Sequence, residues 1–255
     1  MNARTVLAGF VLLCAAKAQA HGGLIDLSVY DRTEGRRLAV HWHEGRAYIV
    51  GKPGNEYQVS VRNRLRADVL TVVSVDGVNV ISGETADPAQ TGYVLGSQRG
   101  YEILGWRKSL AETAAFYFTA LPDSYATRTG RPDNVGVIGV AVFRKKQSPQ
   151  AIAPLRQSAP EAGAAMRREA AGDLARSAPA EEPRLGTGHG RRETSYVQHV
   201  DFERATSTPA ETITLYYDSY RNLLARGVIR EPVPVAPLPR PFPGSLSKFA
   251  PDPHG

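Results

Sequence analysis

The residues best suited to chemistry in this sequence are histidines. Cleavage after Ala20 would make His21 the first residue, offering an α-amino group and an imidazole in one chelate. His41 and His43 stand two apart, so on a strand they share one face. His189 and His199 lie in a later segment. Amine and imidazole nitrogens suit Cu(II), so the candidate metal site is copper on His21 completed from His41 and His43, or from His189 and His199. Each histidine also has a plain structural reading. His21 then marks only where a signal ends, His41 and His43 punctuate an exposed edge, and His189 relaxes a glycine-rich turn.

A second candidate is a ligand surface at Trp106 and Arg107. Arg107 and Lys108 beside an indole would hold an anionic or sugar ligand against its face. A buried Trp106 with its neighbours reaching outward is the competing arrangement. Gly-x-Ser-x-Gly is absent. His189, Asp201 and a serine make a triad on paper only, because three common residues without geometry carry no catalytic assignment. Gly186-Thr-Gly-His-Gly190 follows no expected strand and opens no amphipathic helix, so it lacks the context of a phosphate loop.

Those residues need elements to position them, and the first element is one that would be removed. Arg4, the apolar run Val6 to Ala16 and Ala18-Gln-Ala20 have the order of an export signal, and the run is too short to span a bilayer. Leu13 before Cys14 argues against lipidation. Cys14 is the chain's only cysteine, so the mature chain would fold without disulfides in an oxidising compartment. Later, no run approaches the roughly 18 apolar residues of a membrane helix. The formal charge of +6 includes Arg4 and Lys17 of the signal. The remaining excess is small and scattered, which argues against nucleic acid and is compatible with an anionic envelope surface.

Beyond the signal the pattern is of short strands. Asp76-Gly77 between β-branched runs is a hairpin turn, Glu44-Gly45 a tight reversal, and Lys52-Pro-Gly-Asn55 a turn with proline presetting φ. Tyr57, Val59 and Val61 alternate with Gln58, Ser60 and Arg62, as on a half-buried strand. Tyr101–Trp106, Thr113–Phe118 and the doubly apolar run 134–143 add strands, the last in a sheet centre with glycines where a ring such as Trp106 packs close. Residues 121–131 read as a surface loop. Order returns at residue 186, with strands expected over 194–202 and 211–217 and a short helix at 219–225 ended by Gly227.

The phrases Asp76-Gly-Val-Asn-Val-Ile-Ser-Gly-Glu-Thr85, Gly105-Trp-Arg-Lys-Ser109, Pro122-Asp-Ser-Tyr125 and Gly186-Thr-Gly-His-Gly-Arg191 together resemble a group of exported proteobacterial proteins without an assigned activity. The resemblance implies a secreted or periplasmic β-rich protein and transfers no catalytic residue. Separately, the His21 end-group resembles the histidine brace of lytic polysaccharide monooxygenases and some periplasmic copper carriers, a likeness confined to that end-group and the fold class.

The expectation is therefore an all-β chain, an antiparallel β-sandwich interrupted by an Ala/Pro/Arg-rich segment. Its divisions are a signal at 1–20, the main sandwich at 21–146, a flexible linker at 147–185, completing strands and a helix at 186–230, and a Pro-rich tail at 231–255. Its expected role is a non-catalytic exported binding or structural module for a protein partner or an anionic envelope component. Copper binding through His21 is the alternative.

Overall fold

A computed structural model describes residues 20–147 and 184–230, without the side chains of Ala20 and His21. The expected signal up to residue 19, residues 148–183 of the expected linker and the tail 231–255 lie outside the described residues. What is described is an all-β fold of two mainly antiparallel sheets.

In chain order the strands are β1 (Ala20–His21), β2 (Ile25–Asp31), β3 (Arg36–Arg37), β4 (His41–His43), β5 (Arg46–Val50) and β6 (Glu56–Asn63). Local chemistry sets their reversals. Glu44 and Gly45 both take positive φ, 48° and 73°, in the two-residue turn between β4 and β5. Pro53 and Gly54 (φ 88°) close the next turn, where Asn55 N donates to Lys52 O at 3.0 Å. β7 (Val69–Val75) and β8 (Val78–Asn79) flank Asp76 (φ 53°) and Gly77 (φ 71°), the expected hairpin. β8 is short because Asn79 turns the chain, its Oδ1 accepting from Ile81 N at 2.8 Å.

β9 (Tyr93–Leu95), β10 (Gly100–Ile103), β11 (Gly105–Arg107) and β12 (Glu112–Ala120) follow. The single strand expected over Tyr101–Trp106 is thus two, divided at Leu104. β10 pairs with β6 and β11 with β12, filling the wedge where β6 and β12 diverge beyond their short direct pairing. The loop expected at 121–131 instead contains α1 (Tyr125–Arg128), capped by Ser124 Oγ accepting from Thr127 N.

β13 (Val137–Arg144) lies between β7 and β15 (Glu211–Asp218), as its doubly apolar sequence requires of a central strand. α2 (Tyr220–Ala225) has Ser219 as its cap, with Gly227 at φ 70° just beyond it. The strand expected over 194–202 is corrected. Residues 185–194 form β14 along β12, and 195–202 lie in no strand. Leu185, placed at the end of the expected linker, is buried in β14. Glycines at 186, 188 and 190 disguise this strand, yet each lies where a side chain would collide. A Cβ at Gly186 would sit 2.6 Å from Ser124 Cβ, and one at Gly188 would sit 2.2 Å from the Tyr117 ring.

One sheet therefore runs β2, β6, β12, β14, with β1 and β3 edging β2. The other runs β4, β5, β15, β13, β7, with β8 and β9 on β7, and β5–β15 is its parallel pair. Leu27, Val59 and Phe116 of the first sheet share one buried cluster with Val73, Val140 and Leu215 of the second. Burial of this apolar surface is the main stabilising term, at roughly 25 cal/mol per Å2. On the second sheet, α2 covers Tyr48 through Leu223, and Phe202 packs on Leu70, Val72, Ala141 and Phe143.

Candidate functional site

The segment after β14 builds the site. It leaves the first sheet pinned to the β11–β12 turn, with Ser195 N donating to Ala111 O and Val197 N to Leu110 O, both at 2.8 Å. It reaches the end of β13, where Lys146 N donates to Glu203 O at 2.8 Å and Ala205 N to Arg144 O at 2.9 Å. Arg204 locks the far end. Its guanidinium lies 4.2 Å from the Phe143 ring centroid and donates to Pro88 O (2.9 Å) and Gln90 O (2.6 Å).

Between these pins lies a cleft of about 540 Å3, bounded also by β9 and β10. Its mouth carries Leu110, Tyr196 and Val200, which are 48%, 77% and 52% exposed. Among the described residues only Trp42 and Tyr220 are comparably exposed large apolar side chains, so three of five gather at one opening. Exposed apolar surface concentrated in this way is the usual mark of an interaction site.

Arg107 is the polar centre of the floor. Its Nη2 donates to the Tyr101 hydroxyl and to Ser195 Oγ, each at 3.1 Å, and Nη1 donates to Ser195 O. The Tyr93 hydroxyl accepts from the same guanidinium at 3.4 Å. Burial pushes the Tyr93 phenol up from its ordinary value against the opposing pull of Arg107, so it stays protonated at neutral pH. Among the described residues no Asp or Glu lines the cleft. Among the described residues neither Arg107 nor Arg204 pairs with a carboxylate, so within that part both charges face neutral acceptors alone.

A second polar cluster joins the two sheets where β14 meets β15. Asp76 Oδ2 accepts from Thr187 N at 2.7 Å, and Oδ1 accepts from Gly136 N at 2.9 Å and from the Tyr217 hydroxyl. Because Tyr217 gives its proton to the carboxylate, its oxygen accepts from Thr187 Oγ1 (2.6 Å), which accepts in turn from Tyr57 (2.6 Å). Burial raises the Asp76 carboxyl to about 6, although the Tyr217, Gly136 and Thr187 donors oppose the shift. Burial first, and the Asp76 charge second, push the Tyr57 and Tyr217 phenols well above their usual range. Every proton in this chain has an acceptor, so the cluster is closed to outside ligands.

Trp106 is buried, packed edge-on to Phe116 at 5.1 Å and 4.7 Å from Tyr125, with Nε1 donating to Gly188 O at 3.0 Å. It is a core residue, not a stacking platform. Its packing partners also correct the expectation that it would lie on the β13 glycines, and Gly139 faces Ser74 instead. Arg107, next along the strand, is the member of the pair that reaches the cleft. His41 and His43 lie on β4 of one sheet and His189 on β14 of the other. His189 sits in a strand and not a turn, its ring 5.6 Å from Tyr125. Burial, then the charge of Lys108, holds its imidazole below the ordinary value. His199 lines the cleft. The His21 backbone pairs with Asp26, and its side chain lies outside the described part. Among the described residues no group of three or more His, Cys, Asp or Glu could hold a metal.

Tyr93, Tyr101, Ser195, Leu110, Tyr196 and Val200 were not singled out from the sequence. The signal for the last two was present. Residues 194–202 carry apolar side chains at both parities, which a one-faced strand does not need and a crossing segment with an exposed side tolerates.

No family model, curated protein or solved structure matches the chain. Among the described residues no helix is long and apolar enough to cross a membrane.

Proposed function

We propose that this protein is an exported, non-catalytic binding module, periplasmic or secreted, whose cleft takes an anionic ligand at Arg107. Its kinship on this reading is with the exported proteobacterial proteins it resembles. One observation carries the proposal: three exposed apolar side chains surround a cleft whose floor guanidinium has only neutral partners. A buried or half-buried arginine kept for stability normally meets a carboxylate. Arg107 meets hydroxyls and carbonyls instead, and those hydroxyls keep hydrogens of their own that an anion can accept.

The test is a melting-temperature panel of anionic and neutral envelope components and organic acids, run at low and high salt. At least one anionic probe is expected to raise the melting temperature of the wild type. The shift should shrink with salt and vanish in Arg107→Gln, while neutral counterparts do nothing. Equal responses to anionic and neutral probes, a flat panel, or indifference to Arg107→Gln would each refute the binding role. Fractionation with mass spectrometry of the mature N-terminus tests export, and a chain that keeps its first twenty residues in the cytoplasm removes that part.

A further inference from the structure

We infer that the cleft is built for a small organic carboxylic acid with an apolar body, its carboxylate on Arg107 and its body along the apolar walls. This rests on the reading of the cleft as the binding site and goes further by naming the ligand class.

Three features narrow the class. The first is the surplus of donors on the floor. Arg107 donates to the hydroxyls of Tyr93, Tyr101 and Ser195. Each hydroxyl that accepts keeps its own hydrogen to give elsewhere. Tyr101 and Ser195 lie 3.3 Å apart and engage at most one hydrogen between them. Guanidinium and hydroxyl hydrogens thus converge with no acceptor of matching charge. The two oxygens of a carboxylate, with about four lone-pair sites, supply what is missing.

The second feature is that the charge has a single focus. Arg204 also lines the cleft, but its face is covered by Phe143 and its partners are the carbonyls of Pro88 and Gln90, which have no hydrogen to give, whereas Arg107 is ringed by hydroxyls that do. A polyanion, whether an oligouronate or an acidic peptide, would bring several charges to the one guanidinium ringed by hydroxyl donors and leave the others against apolar walls, at a desolvation cost. A monoanion matches the site.

The third feature is the wall. Leu70, Ile81, Val94, Leu110, Val197 and Phe202 present aliphatic and aromatic surface along the cleft. A hydrated sugar chain gains little from such surface, whereas an alkyl or aryl body gains by burial. The volume of about 540 Å3 lies within the roughly 300–1,000 Å3 of small-molecule sites.

Isothermal titration of the full mature protein tests the class, with octanoate below its micellar concentration, octan-1-ol, acetate and tetragalacturonate as probes. Octanoate is expected to bind, octan-1-ol about tenfold or more weakly, the loss of charge-assisted hydrogen bonds being of that size, and acetate not measurably. Arg107→Gln should weaken octanoate about tenfold or more. Because Arg107 also ties Ser195, Leu110→Glu provides a second variant, on a side chain 48% exposed and with its folding checked by the melting curve, and it should weaken octanoate comparably. Octan-1-ol binding as tightly as octanoate, or octanoate binding that neither variant changes, overturns the class. Tetragalacturonate binding through Arg107 without octanoate binding also overturns it, while leaving the cleft as the site. No Arg107-dependent binding of any anion ends both readings.

Discussion

Two clusters of tyrosines around one charged side chain lie in this sandwich, and they differ in where their protons go. At the seam, Tyr57, Thr187 and Tyr217 pass hydrogen bonds in one direction to Asp76, and backbone N–H groups of Gly136 and Thr187 complete the carboxylate. Donors and acceptors balance, and all four side chains are buried. In the cleft, Arg107 points the other way, donating to Tyr93, Tyr101 and Ser195, so hydrogens accumulate beside an opening. Similar residue types therefore make a structural tie in one place and a receptive surface in the other. The sign of the central charge, and whether its partners saturate it, decides which.

The comparison can be broken most directly at Asp76. Asp76→Ala leaves three donors without an acceptor in a dry site and places alanine at φ 53°. A loss of about 3 kcal/mol or more is expected in urea unfolding, with octanoate affinity per folded molecule unchanged. A loss under about 1 kcal/mol would mean the seam is not a tie.

Titration sharpens the same point. The Asp76 carboxyl goes from an ordinary 3.8 in the unfolded chain to about 6 in the fold. The native state therefore holds its proton more strongly, and the contribution is fully present below pH 3.8 and is lost as pH rises through about 6. Across that window the stability of the wild type relative to Asp76→Asn should fall, by at most about 3 kcal/mol. A difference that is flat or rises with pH would remove burial as the cause.

Gly186→Ala comes next. Its Cβ would meet Ser124 Cβ at 2.6 Å and Val135 at 2.7 Å, so about 2 kcal/mol of overpacking is expected in the melting curve. A neutral result would show that β14 can shift. The smallest effect belongs to the cleft: Tyr101→Phe should change stability by less than about 0.5 kcal/mol while weakening octanoate a few-fold by calorimetry. A stability loss like that at Asp76 would erase the distinction between the clusters.

Much of the scaffold was legible and the site was not. Asp76-Gly77 could be read as a turn from two residues, because positive φ at both positions is a local steric matter. That the same carboxylate would be buried under Thr187 depended on a partner 111 positions away. Trp106 and Arg107 drew notice as a pair, but strand alternation sends them to opposite sides, the indole to the core and the guanidinium to the cleft. The glycines of β14 read as a turn because glycine weakens strands on average. Here Tyr117, Ser124 and Val135 come so close that only glycine fits.

By itself the amino-acid sequence determined the alternating faces of β6, the reversals at Glu44-Gly45, Pro53-Gly54 and Asp76-Gly77, and the stop of α2 at Gly227. All are set within a few residues by sterics and by the two-residue period of a strand. Tertiary structure alone decided that β10 and β11 would fill a wedge, that β14 would run along β12, and that Ser195 would meet Arg107 from 88 positions away. Those pairings follow from how two sheets close over a shared interior, and that closure is a property of the whole chain.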